Sequence, residues 1–339
     1  MKVNKYNNSL LASMAYLVIV IAGLKAGSSI FVPLLMAFFW FLLFLPLINK
    51  LRSFGIPDIF TTLIVFGITL IIVIVVGTFL IASAQDIIAN LPMYQEKYHE
   101  FIPKITGFFD RFGISLQKSY IVNLLDPIKI INYMAIFLKS MGDIMTNGLM
   151  TLIVVLFLFL ESSLISKKIL YLTREKGIEE KIELFLHNVN TYFLTKTVTS
   201  AITGFLIYAI LVVFGLDYAL LFAFLAFLLN YIPNIGSILA AIPAILFSLL
   251  QLTIIDTTFI MIGYLVVNNV IGNLLEPKLL SKGVGLSTLI VFLSMVFWGW
   301  ILGPVGMFLS VPLTIVIKMA CEYSQRWKWV SVVLSDKIK

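Results

Sequence analysis

The 339-residue sequence has few charged residues, few histidines and almost no cysteine. Charged residues make up 12% of the chain, half of the roughly 25% that is usual in soluble domains. The single cysteine, Cys321, excludes a disulfide within the chain and a cysteine-based metal cage. The two histidines, His99 and His187, are too far apart in the sequence to give a metal-ligand spacing. We therefore expect no metal site and no cofactor.

Sequence motifs for enzymatic chemistry are also missing. The chain has no glycine-rich phosphate loop, no nucleophile elbow and no H-x-x-x-H pair. The net charge is +7, but the lysines and arginines are spread over short loops and tails. Membrane topology and anionic headgroups explain such a distribution, so nucleic acid is not an expected partner. The sequence predicts a protein that is not an enzyme.

Apolar residues dominate what remains. They make up 60% of the chain, and the mean hydropathy is +1.05. A helix that crosses a bilayer needs about 20 apolar residues. The apolar runs are 10–24, 30–48, 59–82, 144–165, 198–216, 254–272 and two interrupted pairs, 218–252 and 286–317. We predict an all-α polytopic membrane protein with about eight membrane segments; whether the two interrupted pairs cross fully or re-enter stays open.

One long segment between these runs has a different pattern. Apolar residues in 85–143 recur at helical spacing, but charges are too frequent for a span. It is predicted to form amphipathic helices that lie on the membrane surface or pack against neighbouring subunits. The predicted division of the chain is a three-span scaffold (1–84), the amphipathic segment (85–143), a fourth span with a charged cytoplasmic segment (144–197), a transport-type region (198–320) and a basic cytoplasmic tail (321–339).

Basic residues in the short loops predict the orientation. Lysine and arginine occur near the N-terminus, in 49–58, in 166–196, in 277–285 and in the tail. Short cytoplasmic loops are enriched in these residues. We expect both termini in the cytoplasm.

The first candidate site is a helix break in 230–243. Proline and glycine interrupt helices, and broken backbone at membrane depth is tolerated only beside protein or a water-filled cavity. Its free carbonyls and its amide and hydroxyl side chains could bind a polar solute; the alternative is an ordinary surface loop. The candidate pathway residues here are Asn230, Pro233, Asn234, Gly236 and Ser237, with Pro243 as a hinge.

A second break has the same layout near the C-terminus. Gly303, Pro304 and Gly306 separate a short apolar run from another that contains Pro312. Paired broken segments indicate a transporter binding site. These four residues are candidate hinge positions.

The third candidate is the polar stretch NNVIGNLLEPKLLSKGVGLS, 268–287. Asn269 and Asn273 share a helix face, and Gly272 permits close helix packing. Amides in apolar surroundings need partners, so we predict that this face points inward and lines the pathway. Glu276 and Lys278 are candidates for proton or ion coupling, although a solvated helix end is the alternative. Glu161, near the end of the fourth span, is a third coupling candidate.

Three segments together resemble a known family. LLNYIPNIGSILAAIP, VIGNLLEPKLLSKGVGLS and WGWILGPVGMFLSVPLT, in this order, are similar to the AI-2E family of bacterial inner-membrane transporters. The resemblance is strong over 198–320 and architectural over 1–197. It implies a secondary exporter, with autoinducer-2 (AI-2) as the named substrate, sodium/proton antiport in some members, and homopentamers.

Three functions remain after this resemblance. The first is export of a small polar signal, with helical hairpins moving against the scaffold. The second is monovalent cation (Na+/Li+)/proton antiport, which would need an acid at membrane depth. Many relatives have an acidic residue where this chain has Asn230, and that difference favours export over antiport. The third is a non-transporting or channel-like assembly organised by 85–143.

Overall fold

The computed structural model describes residues 15–97 except 17, 91 and 95, residues 148–233 except 173–177, and residues 235–279, 285–322 and 327–335. Within these ranges the regular structure is helical, apart from one isolated bridge between Leu286 and Ser335. The predicted all-α class is confirmed. Most of the predicted amphipathic segment, from residue 98 onward, lies outside the described residues.

Helices account for most of the described residues. We label them α1 (Ser28–Ser53), α2 (Asp58–Ala89), α3 (Gly148–Leu172), α4 (Ile178–Val213), α5 (Ala219–Leu229), α6 (Gly236–Gln251), α7 (Ile254–Asn269), α8 (Glu276–Leu279), α9 (Thr288–Leu302), α10 (Pro304–Glu322) and α11 (Lys328–Leu334). A π-helical segment, Val270–Leu275, joins α7 to α8 without a break.

Five of the described helical stretches are long and apolar enough to cross a membrane. They are Ser28–Ser53, Asp58–Ala89, Leu186–Val213, Ile254–Leu279 and Pro304–Glu322. Shorter apolar helices are Met150–Ser162, Ala219–Leu229, Gly236–Gln251 and Thr288–Leu302. The chain is a multi-pass membrane protein.

The helices group into two compact units. One contains Met1–Phe66, Met150–Tyr192 and Lys282–Lys339, and the other contains Gly67–Leu149 and Phe193–Ser281. Each unit therefore gathers helices from distant parts of the chain. The five-part division along the sequence stays a prediction.

The second unit contains the first predicted helix break as a tight hairpin of α5 and α6. α5 has 11 residues, a rise of about 16 Å, and so spans about half of a hydrocarbon core. The side chain of Gln251 closes the base, because it donates to the Gly215 carbonyl at 3.0 Å and accepts from the Asp217 N–H at 2.8 Å. At the tip the helices approach so closely that a Cβ on Gly236 would lie 1.8 Å from the Leu229 carbonyl oxygen. α5 is therefore too short to cross a hydrocarbon core by itself.

The first unit contains the second break as the α9–α10 hairpin. Gly303 turns the chain with a φ of +69°, and a Cβ on Gly306 would lie 2.0 Å from the Trp298 carbonyl oxygen. The Trp298 indole donates to Thr314 Oγ1 at 3.2 Å. Trp298, Ile301 and Leu302 form an apolar cluster with Ile21, Leu24, Val32, Leu35 and Leu313. This hairpin tip is set in an apolar environment.

Candidate functional site

A stripe of buried polar side chains runs along α4. Its members recur every three or four residues, so they share one helix face. They are Thr195, Lys196, Thr199, Ser200 and Thr203, and none is more than 8% exposed. Polar and charged groups inside a membrane helix mark solute pathways or interhelical contacts. α4 therefore places a polar surface inside the second unit.

Lys196 is the charged centre of this surface. Its side chain is 6% exposed, and its Nζ lies 2.7 Å from Oε1 of Glu276, whose side chain is 18% exposed. The same ammonium donates to the carbonyl oxygen of Asn230 at 3.3 Å. A buried cation is tolerated only with such partners. The sequence analysis missed Lys196, because it ends a charged segment that was predicted to be a cytoplasmic loop.

The tip of the α5–α6 hairpin completes the network. Asn230 is 9% exposed, and its Nδ2 donates to Ser200 Oγ at 3.1 Å. The Tyr231 hydroxyl and Thr197 Oγ1 are 2.7 Å apart. The side chains of Asn230 and Tyr231 and the Asn230 carbonyl thus all bind residues of α4. The predicted role of Asn230 as a polar group at a helix break fits this position.

The π-helical segment explains why Glu276 reaches Lys196. The buried positions of α7 and the segment after it are spaced three or four residues apart: Thr257, Ile260, Tyr264, Val267 and Ile271. A continuing α-helix would bury position 274 or 275 next. Instead, the Glu276 N–H bonds to the Ile271 carbonyl, the i→i+5 bond of a π-helix. One extra residue in the turn brings Glu276 onto the buried face.

The two asparagines of the polar stretch lie on a different face. Asn269 and Asn273 are exposed. Asn273 Nδ2 donates to Asn269 Oδ1 at 3.0 Å, and Asn269 Nδ2 donates to the Leu265 carbonyl at 2.8 Å. The predicted inward orientation is not seen within a single chain, because the buried stripe of α7 uses other positions. Their place in the pathway stays a prediction.

The remaining predicted residues fall in several environments. Pro233 and Gly236 are buried at the hairpin tip, Ser237 is half-buried, and Asn234 lies outside the described residues. Pro243 lies inside α6. Gly272 is exposed in the π-helical segment, and Lys278 is exposed in α8. In the other unit, Glu161 is exposed on α3, and Gly303, Pro304, Gly306 and Pro312 belong to the α9–α10 hairpin.

A second polar cluster lies at the base of the same hairpin. A cavity of about 390 Å³ is lined by Asp86, Asn90, Met93, Tyr94, Asp217 and Tyr218. Asn90 Nδ2 donates to the Tyr218 hydroxyl at 3.0 Å, and the Tyr94 hydroxyl donates to Asp217 Oδ2 at 3.2 Å. Burial, together with the Tyr218 phenol and Asp217, raises the pKa of Tyr94. Tyr94 therefore keeps its proton and remains a donor.

Replacing Tyr94 with phenylalanine tests the role of this cluster. The Tyr94 ring packs edge-on against Phe247 with centroids 4.7 Å apart, and phenylalanine keeps that contact. The hydrogen bonds of the hydroxyl to Asp217 and Tyr218 are lost, which is expected to lower the free energy of unfolding by about 1 to 2 kcal/mol. Thermal unfolding of the purified protein measures this. Tyr208→Phe, on the exposed side of α4, is the control and should leave the midpoint unchanged; an equal loss in both variants would contradict the assignment.

Metal-binding residues do not assemble in the described part of the chain. No group of three or more histidine, cysteine, aspartate or glutamate side chains there could hold a metal ion. The network of Ser200, Asn230, Lys196 and Glu276, which we call the tip network, instead offers amide, hydroxyl, carbonyl and ammonium groups. Such groups bind polar solutes by hydrogen bonds.

Comparison with known proteins identifies the family of this chain. Residues 14–326 match the family described as AI-2E family transporter. The AI-2 transport protein TqsA of Escherichia coli K12 is 33% identical over 324 residues, covering 95% of this chain and 94% of that protein. A provisionally named transport protein of Haemophilus influenzae is 34% identical over 334 residues, with 96% of each chain covered. Another provisionally named relative, YhhT of E. coli K12, is 30% identical over 332 residues, covering 98% and 95%. The chain belongs to the AI-2E family of membrane transporters.

Proposed function

We propose that this transporter exports a small polar signal molecule, and that the signal is AI-2. The relative TqsA is named for AI-2 transport, which supports the substrate. AI-2 is a small, highly hydroxylated, furanone-derived molecule. Such a solute is bound by amides, hydroxyls and carbonyls more readily than by unpaired buried charge. In this proposal the protein serves quorum sensing.

One observation above all supports a transport site in the second unit. The tip network joins α4, the hairpin tip and the π-helical segment through Lys196, with contacts of 2.7 Å to Glu276 and 3.3 Å to Asn230. Its charges balance, and its Asn230 amide is anchored to Ser200. Broken helices at membrane depth are common binding sites in secondary transporters. We place the solute at this tip, with Asn230, Pro233, Asn234, Gly236 and Ser237 along its pathway.

Monovalent cation/proton antiport is the second candidate. It is favoured by Glu276, a candidate for ion coupling in the sequence, whose side chain is only 18% exposed. However, Lys196 already neutralises Glu276, so an incoming cation would have to displace an ammonium at 2.7 Å. If antiport operates, neutralising Glu276, or the alternative acid Glu161, abolishes exchange.

The resemblance to the family supports a proposed assembly and membrane, and the basic residues in the short loops support the orientation. We propose a homopentamer in the bacterial inner membrane, with both termini in the cytoplasm. The α5–α6 hairpin would move against a scaffold formed by the N-terminal spans.

Flux in sealed liposomes tests the proposed function. Purified protein is reconstituted with AI-2 on one side, and efflux is followed first without an ion gradient, then with sodium and proton gradients imposed separately. We expect saturable efflux, and the gradient that accelerates it identifies the coupling ion. Liposomes without protein are the control. An absence of efflux combined with sodium-dependent proton movement would replace export by antiport.

The exposed asparagine pair has its own test. Asn269→Ala/Asn273→Ala removes two amides, each expected to contribute about 1 kcal/mol to solute binding, so AI-2 efflux should fall about thirtyfold. The helix should remain intact, since both side chains are exposed. Thr258→Ala, on the exposed part of α7, serves as the matched control. Unchanged efflux in the folded double variant would remove this pair from the pathway.

A further inference from the structure

The ammonium of Lys196 has more hydrogen-bonding capacity than its neighbours use. A lysine has three N–H donors. One points to Glu276 at 2.7 Å and one to the Asn230 carbonyl at 3.3 Å. The third has no partner among the side chains and carbonyls that the structure describes. Lys196 can therefore bind one more oxygen without losing an existing contact.

Glu276 is the less firmly held member of the ion pair. Its side chain is three times as exposed as that of Lys196, 18% against 6%. Lys196 lies within the 36-residue helix α4, whereas Glu276 follows the six-residue π-helical segment. π-Helical turns are rare and often occur at functional sites. Of the two partners, the carboxylate is the one positioned to move.

A conversion of the π-helical turn to an α-helical turn would withdraw Glu276. A π-helical hydrogen bond spans five residues and an α-helical one spans four. Removing the extra residue from the turn would rotate the residues that follow it by about 100° around the helix axis. The carboxylate would then leave the buried face that it shares with Ile271. Gly272 lies within this turn, and a Cβ there would meet no atom closer than 3.9 Å. No side chain at this position obstructs the conversion.

We infer that the Glu276 carboxylate occupies, in the solute-free protein, the position that a negatively charged oxygen of the solute takes during transport. The solute oxygen binds the ammonium of Lys196 as Glu276 withdraws, so the buried lysine is never left without a counter-charge. At this subsite an anionic oxygen binds in preference to a neutral one, so AI-2 occupies it through an oxygen that carries negative charge while its hydroxyls use the amide and carbonyl groups of the tip network; free cations are excluded. This inference rests on the proposed function, since it takes the tip network to be the transport site.

The charge balance is the physical reason for the exchange. Breaking a buried ion pair leaves an uncompensated charge, and this is strongly unfavourable. An incoming anion removes that cost, whereas an incoming cation adds to it. The Glu276 carboxylate thus competes with the solute for the Lys196 ammonium and lowers the apparent affinity for the solute.

Rescue by a small carboxylate tests the inference without any assumption about AI-2. Glu276→Ala removes the carboxylate and leaves Lys196 without its partner. Acetate at tens of millimolar should then raise the unfolding midpoint of purified Glu276→Ala by about 3 °C relative to chloride at equal ionic strength. The wild type should show no such difference. Lys196→Met/Glu276→Ala, which lacks the ammonium, is the matched control and should also show none.

A second variant covers the case in which Glu276→Ala does not fold. Glu276→Gln keeps the side-chain volume, and its AI-2 efflux should be inhibited by acetate at concentrations at least tenfold below those that affect the wild type. The inference is overturned if acetate and chloride raise the unfolding midpoint of Glu276→Ala equally. It is also overturned if acetate inhibits AI-2 efflux by the wild type and by Glu276→Gln at the same concentration. If acetate rescues stability but AI-2 is not transported, the anion subsite stands and AI-2 is rejected as the substrate.

Discussion

Replacing Gly236 with alanine is expected to leave almost no folded protein. The alanine Cβ would lie 1.8 Å from the Leu229 carbonyl oxygen and 2.7 Å from its carbonyl carbon, both of them backbone atoms. Real Cβ contacts below 3.0 Å are essentially never observed. A backbone atom cannot rotate away as a side chain can, so the α5–α6 hairpin has to open. Overpacking in a close-packed interior costs about 1 to 3 kcal/mol, and a clash with backbone belongs at or above the upper end.

Matched glycines make this a controlled measurement. Gly67 and Gly77 lie in the interior of α2, and a Cβ at either position meets no atom within 4 Å. Gly67→Ala and Gly77→Ala should therefore fold normally and gain slightly in stability, since alanine favours a helix by up to about 1 kcal/mol. The yield of monodisperse protein in detergent and its unfolding midpoint give the comparison. Wild-type behaviour of Gly236→Ala would show that the hairpin is less tightly closed than described.

Breaking the Lys196–Glu276 pair from one side only is expected to have an effect as large as that of Gly236→Ala. Loss of one partner of a buried ion pair costs about 3 to 5 kcal/mol. The cost should be greater for Glu276→Gln than for Lys196→Met, because the lysine left behind is the more deeply buried partner, at 6% against 18% exposure. Replacing both partners removes the uncompensated charge and should restore most of the stability.

A double-mutant cycle measures this coupling. The free energies of unfolding of wild type, Lys196→Met, Glu276→Gln and Lys196→Met/Glu276→Gln isolate the pair's interaction energy. We expect a coupling of about 2 kcal/mol or more, near the upper part of the range for residues in contact. Lys278→Met, an exposed lysine two residues from Glu276, is the control for removing a nearby charge. Additive effects of the two substitutions would mean that the ion pair contributes nothing to the fold.

The sequence predicted the helix breaks because their causes are local. Proline lacks an N–H donor and glycine accepts unusual backbone angles wherever they occur. Pro233 and Gly236 therefore mark the tip of one hairpin, and Gly303, Pro304 and Gly306 mark the tip of the other. The all-α polytopic class followed in the same way from apolar run length. Helix breaks and apolar run length depend only on residues that are close together in the sequence.

Lys196 could not be predicted because its burial depends on distant residues. In the sequence it ends a charged segment, and the span was predicted to begin two residues later. Only the folded chain shows that Glu276 and the Asn230 carbonyl, 80 and 34 residues away, compensate it. A usable signal was nevertheless present: Thr195, Thr199, Ser200 and Thr203 continue the polar pattern into the apolar run on one helix face.

The π-helical turn was equally hidden. Composition does not distinguish it from an α-helix. Asn269 and Asn273 were predicted to point inward for another reason, that amides in apolar surroundings need partners; in the structure the two amides bond to each other and to the Leu265 carbonyl. The structure buries Ile271 instead and brings Glu276 beneath it through one extra residue per turn. The ion pair consequently lies where the sequence left open both an ion-coupling residue and a solvated helix end. A single-residue change in helix phase thus accounts for the burial of Glu276, whereas the exposure of Asn269 and Asn273 follows from the buried stripe of α7 itself.

The measurement that tests the central claim most directly is AI-2 efflux by Lys196→Met/Glu276→Gln in sealed liposomes. This variant should remain folded, because both charges of the buried pair are removed together. If the tip network is the transport site, the double variant loses saturable AI-2 efflux while wild type and Gly77→Ala retain it. Saturable efflux by the folded double variant, at the wild-type rate and half-saturating concentration, would contradict the account.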